Sequence, residues 1–248
     1  MLKNPTLDGL RTLKLHGMLK ALEDQEALAN IGELSFNDRF GLLVDAEVLS
    51  RSNKQLQSRL KTARLRLSVC VEDLEVKSGR GLDKTNVVAL SSCDWLRLHR
   101  NILVTGPTGS GKTYVSCALA QKACREGYSA IYERSSKLFH DLSMSKADGS
   151  YLSKLKVLSK KDLLVLDDFA LAPLTDEQRR DLLEIMEDRY NRRSTIIVSQ
   201  VPVDLWHEII GDPTIADAIL DRLVHNAHKV QLRTKISKRK EECGDLEF

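Results

Sequence analysis

The chain has 248 residues, 42% of them hydrophobic and 29% charged, enough to bury a core and too apolar to be disordered throughout. No apolar run approaches the roughly 18 residues of a membrane helix, and MLKNPTLDGLRTLKLHG lacks the features of a secretory signal, so a cytoplasmic protein with no membrane partner is expected. Net charge is +3. Residues 1–100 carry 16 Lys and Arg against 13 Asp and Glu, and residues 101–248 carry 22 of each, so the excess is N-terminal. Five cysteines with no CxxC fit a reducing compartment and argue against a zinc site or a disulfide framework.

Residues 7–66 read as helical. Leucines at 7, 10, 13 and 15 lead into a polar-apolar pattern, and after GELSF the stretch 37–67 has good helix formers and no Pro. An N-terminal helical module over 1–76, a linker over 77–90 (KSGRGLDKTN at its start), a core over 91–240 and a tail over 241–248 are the expected divisions. Trp95, Leu96 and Leu98 mark a short amphipathic piece before the core.

From residue 101 the pattern changes. NILVT (101–105), SAIYE (129–133), DLLVLD (162–167), TIIVS (195–199) and HKVQL (228–232) read as strands, the third nearly all apolar, as strands covered on both faces tend to be. Helices are predicted at 112–126, closed by Gly127, at 175–190, opened by a Thr175-x-x-Gln178 capping box, and at 214–224. Strands alternating with helices predict an α/β domain with a mostly parallel five-stranded sheet behind a small all-α N-terminal domain.

Gly106-Pro107-Thr108-Gly109-Ser110-Gly111-Lys112-Thr113 fits G-x-x-x-x-G-K-[ST]. The glycines open backbone conformations closed to other residues. The loop N–H groups and the start of the following helix then face a phosphate. Lys112 is placed for the β- and γ-phosphates of ATP, and the Thr113 hydroxyl for Mg²⁺. Chance produces such a motif in roughly one chain in a hundred, but here a predicted strand precedes it and a predicted helix follows.

Asp167 ends an apolar strand and is placed to hold Mg²⁺; Asp168 is placed to orient the attacking water. Gln200, after the next strand, is a candidate to sense nucleotide state, and Ser199 shares that strand end. Arg222, in LDRLVH, is a candidate to stabilise charge on a neighbouring subunit's phosphate, against the simpler alternative of a helix-surface ion pair. RSNKQLQSRLKTARLR (51–66) carries Arg51, Lys54, Arg59, Lys61, Arg64 and Arg66 and no acid. On a helix, Arg51, Lys54, Lys61 and, more loosely, Arg64 form a stripe suited to duplex phosphates; a solvated face is the alternative. Trp95, Trp206, Cys117 and Cys124 are expected to be packing residues, and His225 and His228 lack partner ligands for a metal.

GPTGSGKT, LLVLDD, STIIVSQ and ILDRL, in that order, resemble the AAA+ ATPases. WLRLHRNILVTGPTGSGKTYVSCALAQKACREGY and SQVPVDLWHEIIGDPTIADAILDRLVHNAHKVQL resemble the IstB/DnaC branch, and the likeness spans about residues 50–240. It implies a three-layer P-loop AAA+ core and an IstB-like helper ATPase of a DDE transposase, assembling with ATP as an oligomer on duplex DNA to select target and stimulate transposition. It also implies the Walker A pair at Lys112 and Thr113, the Walker B acid at Asp167, the first sensor at Gln200 and the trans-acting finger at Arg222. Asp168 stands where many AAA+ proteins have Glu. Arg239 is the one candidate for a second sensor, and TKISKR lacks the Gly of the usual ending. Two other readings are a DnaC-like helicase loader and a nucleotide-dependent scaffold without useful hydrolysis.

Overall fold

The computed structural model describes residues 5–28, 33–74 and 81–233. The chain divides into two compact units, residues 1–58 and 59–248.

The first unit is built from three helices, α1 (Pro5–Thr12), α2 (His16–Glu26) and the greater part of α3 (Phe36–Ala63). The start of α2 lies tight on α3. A Cβ on Gly17 would stand 2.5 Å from the Ala46 carbonyl oxygen, and the Glu47 carboxylate accepts from the Gly17 and Met18 amides at 2.7 and 3.2 Å. These are amides that a helix start leaves without an intrahelical partner.

The second unit begins within α3, earlier than the expected boundary at 76. Ala63, Val71 and Leu74 are buried, and Tyr114 donates to the Asp73 carbonyl, so this stretch packs with the core. The expected linker is also corrected: α4 (Lys84–Ser91) forms within it, capped by the Asp83 side chain on the Asn86 amide and anchored by buried Leu90. α5 (Asp94–Arg97) buries Trp95 and Leu96, whereas Leu98 is exposed.

Strands β1 (Asn101–Thr105), β2 (Ala130–Arg134), β3 (Leu163–Phe169), β4 (Ser194–Ser199) and β5 (Ala227–Gln231) form one sheet in the order β2-β3-β4-β1-β5. All the pairings are parallel. Helices α6 (Lys112–Arg125), α9 (Asp176–Arg189), α10 (Trp206–Ile210) and α11 (Pro213–Val224) follow their strands. The capping box opens α9, with Thr175 and Gln178 exchanging hydrogen bonds of 3.3 and 3.1 Å. Helices α7 (Ser135–Ala147) and α8 (Tyr151–Lys160), between β2 and β3, were not among the predicted elements.

The sheet is covered on both faces. Leu103, Leu164, Leu166 and Ile197 pack with residues of α7, α9 and α11, among them Leu142, Leu182, Ile185 and Ile219. The alternate residues Ile102, Val104, Val165, Ile196 and Val198 are also fully buried, as the period of two requires when helix α6 covers the other face. This makes the α/β core that the strand pattern predicts, in the three layers that the resemblance implies. Cys117, Cys124 and Trp206 are fully buried within it.

Candidate nucleotide-binding site

The phosphate loop leaves β1 at Thr105 and enters α6 at Lys112. Gly106, Gly109 and Gly111 have φ of +151°, +79° and +89°, which side chains disfavour. At Gly106 space adds to the demand, since a Cβ would meet the Leu232 carbonyl oxygen at 2.4 Å. The Lys112 ammonium donates to the carbonyls of Gly106 and Pro107, each at 2.8 Å. Burial pulls its pKa below the ordinary 10.5, and the nearby charges of Asp167 and Asp168 oppose that fall. Within the loop the Ser110 hydroxyl oxygen is buried without a hydrogen-bond partner among the described residues.

Asp167 sits where β3 and β4 lose register between Leu166 and Phe169. Such an irregularity frees residues from the ladder and re-aims their side chains. Its carboxylate is nearly inaccessible, at 1% exposure. Oδ2 accepts from the Thr113 hydroxyl at 2.9 Å and from the Tyr132 hydroxyl at 2.5 Å. Oδ1 accepts from the Asp168 amide at 2.8 Å. Burial, then Asp167, raise the Tyr132 pKa far above its ordinary value, so the phenol stays a donor. Asp168 itself is half-buried at φ +57°, a conformation that Asp tolerates better than most residues. Gln200 accepts from the Thr108 hydroxyl at 2.5 Å, which ties the end of β4 to the loop. Ser199 points elsewhere, donating to the Phe169 carbonyl at 2.7 Å.

The structure thus gathers Lys112, Thr113, Asp167, Asp168 and Gln200 at the C-terminal ends of β1, β3 and β4. A carboxylate and a hydroxyl 2.9 Å apart are hard oxygen donors, the set that suits Mg²⁺. The buried unpartnered Ser110 hydroxyl and the inward-turned loop suit an anionic oxygen beside it.

Arg222 lies at the other end of the sheet. Asn101, the first residue of β1, holds the carbonyls of Arg222 and Leu223 at 3.0 and 3.2 Å. The loop starts at the last residue of that strand, about 13 Å away at the usual rise. The Arg222 guanidinium bonds the Ala218 carbonyl at 2.7 Å and Glu187 at 3.0 Å, and lies over the Tyr190 ring at 5.9 Å.

The basic stripe is corrected. α3 ends at Ala63, and Arg64 takes φ +52°, so Arg64 and Arg66 fall past the helix. Arg51 pairs with Glu47 at 2.7 Å, and Lys54 is exposed on α3. Arg59 donates to the Cys124 carbonyl at 2.9 Å. Lys61 and Arg64 line a cavity of about 480 Å³ with Glu133, Lys154 and Lys161. The Arg66 guanidinium pKa is raised, chiefly by Tyr132 and less by Asp167 and Asp168. Arg239 lies outside the described residues. Sequence reasoning missed Tyr132; the signal was a phenol inside a buried strand, which must find a partner for its hydroxyl.

The sheet order, the loop and the acid near the end of β3 define a P-loop nucleotide-binding protein with the AAA+ fold. The DnaC helicase loader shares that fold at a TM-score of 0.54 and 18% identity, over 66% of this chain and 96% of that one. AMPPCP-bound DnaA from Aquifex aeolicus shares it at 0.58 and 18%, over 75% and 58%.

The chain belongs to the IstB-like ATP binding protein family, which it matches over residues 9–243. It is 47% identical over 232 residues to a putative insertion sequence ATP-binding protein, y4pL, of Sinorhizobium fredii, covering 94% of this chain and 95% of that one. It is 46% identical to the insertion sequence IS1162 putative ATP-binding protein of Pseudomonas fluorescens, covering 82% and 88%. The insertion sequence IS21 putative ATP-binding protein of Pseudomonas aeruginosa is 27% identical over 94% and 88%. Among the described residues no helix is long and apolar enough to cross a membrane.

Proposed function

We propose that this protein hydrolyses ATP between subunits of an oligomer assembled on duplex DNA, and that this assembly directs and stimulates a DDE transposase of the same insertion sequence. The observation that carries the reading is the convergence of Lys112, Thr113, Asp167, Asp168 and Gln200 at one end of the sheet, in a chain whose relatives are ATP-binding proteins of insertion sequences.

The loop amides and the start of α6 bind the phosphates. Lys112 exchanges its bonds to the Gly106 and Pro107 carbonyls for the β- and γ-phosphates. Thr113 and Asp167 hold Mg²⁺, which supplies charge neutralisation on the transferring phosphoryl group. Asp168 orients the water and takes its proton, and Gln200 sits beside the loop to report the γ-phosphate. Arg222 is held at the far end of its own sheet, about 13 Å of strand from its own loop. It therefore serves the loop of a neighbouring subunit, where it stabilises transition-state charge. Duplex contact is through phosphates, from Lys61 and Arg64 in the first instance, and does not depend on sequence.

The test is binding to matched duplex and single-stranded DNA with ATP, ADP or no nucleotide, for wild type and Lys112→Ala. Cooperative, ATP-dependent duplex binding that Lys112→Ala loses is expected. Single-strand preference would instead favour a helicase loader, and binding indifferent to nucleotide would overturn the coupling. Asp168→Asn is expected to lose turnover and keep ATP-dependent DNA binding. A variant that still turns over would remove Asp168 from the chemistry.

A further inference from the structure

We propose that Tyr132 is a positioning residue that fixes the orientation of the Asp167 carboxylate for magnesium. The inference deepens the proposed function and rests on its reading of Asp167 as the metal-holding acid.

Tyr132 lies in β2, paired in register with Val165 of β3, and is almost wholly buried. A buried phenol costs stability unless its hydroxyl finds a partner, and packing alone would be served as well by Phe. Its partner is Oδ2 of Asp167, at 2.5 Å. The same oxygen takes the Thr113 hydroxyl at 2.9 Å, and the other oxygen takes the Asp168 amide at 2.8 Å. An ionised carboxylate offers about four acceptor positions. Three are filled from three directions, so the group cannot rotate and keeps about one lone pair for a further donor or cation. Without Tyr132 it would be held by one side chain and one amide.

Outer partners that orient a metal ligand typically change metal affinity by about 10- to 100-fold when removed.

The test uses the full chain and Mn²⁺ as probe, followed by its electron paramagnetic resonance while it is titrated into the protein with ADP. Tyr132→Phe keeps the ring and removes the hydroxyl. Its Mn²⁺ affinity is expected to fall by about 10-fold or more, with ADP binding in EDTA and the melting temperature unchanged. Turnover should fall and recover in part as Mg²⁺ is raised. Wild-type Mn²⁺ affinity in Tyr132→Phe overturns the proposal. So does a variant that loses metal-free ADP binding and thermal stability together, since that is a packing role. Wild type that holds Mn²⁺ and ADP together no better than either alone overturns the magnesium reading of Asp167 itself, and this inference with it.

Discussion

In residues 59–248 every strand of the sheet contributes fully or nearly buried apolar side chains, from Ile102 and Leu103 in β1 to Val230 in β5. In the described part of residues 1–58 the buried side chains are Gln25 and Glu47. Leu13, Leu28, Leu34, Phe36, Phe40, Leu42, Val48 and Leu49 are exposed there, Phe36 at 77%, and the rings of Phe36 and Phe40 stack at 6.0 Å. One unit is held by a two-sided core, the other by helix contacts and polar bonds such as Glu47 to Gly17 and Met18. The comparison teaches that helical periodicity does not make a core. Apolar residues in a small three-helix unit are buried only if enough neighbouring surface exists to cover them.

Four variants sharpen or break that contrast. The largest effect is expected from Arg189→Ala in α9. This buried guanidinium donates to the carbonyls of Leu158, Lys161 and Ser194 and to the Thr195 hydroxyl. Its loss leaves buried carbonyls unpaired, and about 3–5 kcal/mol of stability should disappear, read by denaturant titration. Next is Leu103→Ala, at the centre of the core, with about 2–5 kcal/mol. A loss under about 1 kcal/mol would mean that the core is loosely packed and the contrast overstated.

Glu47→Gln should act on the first unit alone, seen as faster hydrogen exchange at the Gly17 and Met18 amides with exchange in the sheet unchanged. The Arg51 hydrogen bond, ahead of the two amides, holds the Glu47 pKa below its ordinary 4.5. A depressed folded-state pKa gives stability that is present above pH 4.5 and lost as the pH falls through the folded value. Acid should therefore loosen α2 from α3, and Glu47→Gln should remove that pH dependence. The smallest effect on folding is expected from Phe36→Ser with Phe40→Ser, within about 0.5 kcal/mol. Strong destabilisation would show that this surface is structural.

Much of the site was legible as spacing. The phosphate loop, the acid near the end of β3 and the polar side chain after β4 are local features, each at a strand end that hydrophobic runs announce. The capping box at Thr175 and Gln178 was legible for the same reason. Helices α7 and α8 were not, because YLSKLKVLSK carries its apolar residues among lysines and gains its burial through Leu155 and Leu158 only in place. The basic stripe failed at one residue: nothing local marks Arg64 as the left-handed end of α3, and with that turn Arg66 leaves the helix.

By itself, the sequence determined the α/β class, the order of the strands along the chain, and the nucleotide loop. Those follow from periodicity and from glycines whose backbone freedom acts within a few residues. Only the tertiary structure decided the spatial strand order β2-β3-β4-β1-β5, which brings Asp167 and Gln200 to the loop and sets Arg222 at the opposite end of β1. It also decided the grip of Tyr132 on Asp167, a bond between residues 35 positions apart. Such contacts join residues distant in the chain, and their energy depends on burial that exists only after the sheet has closed over them.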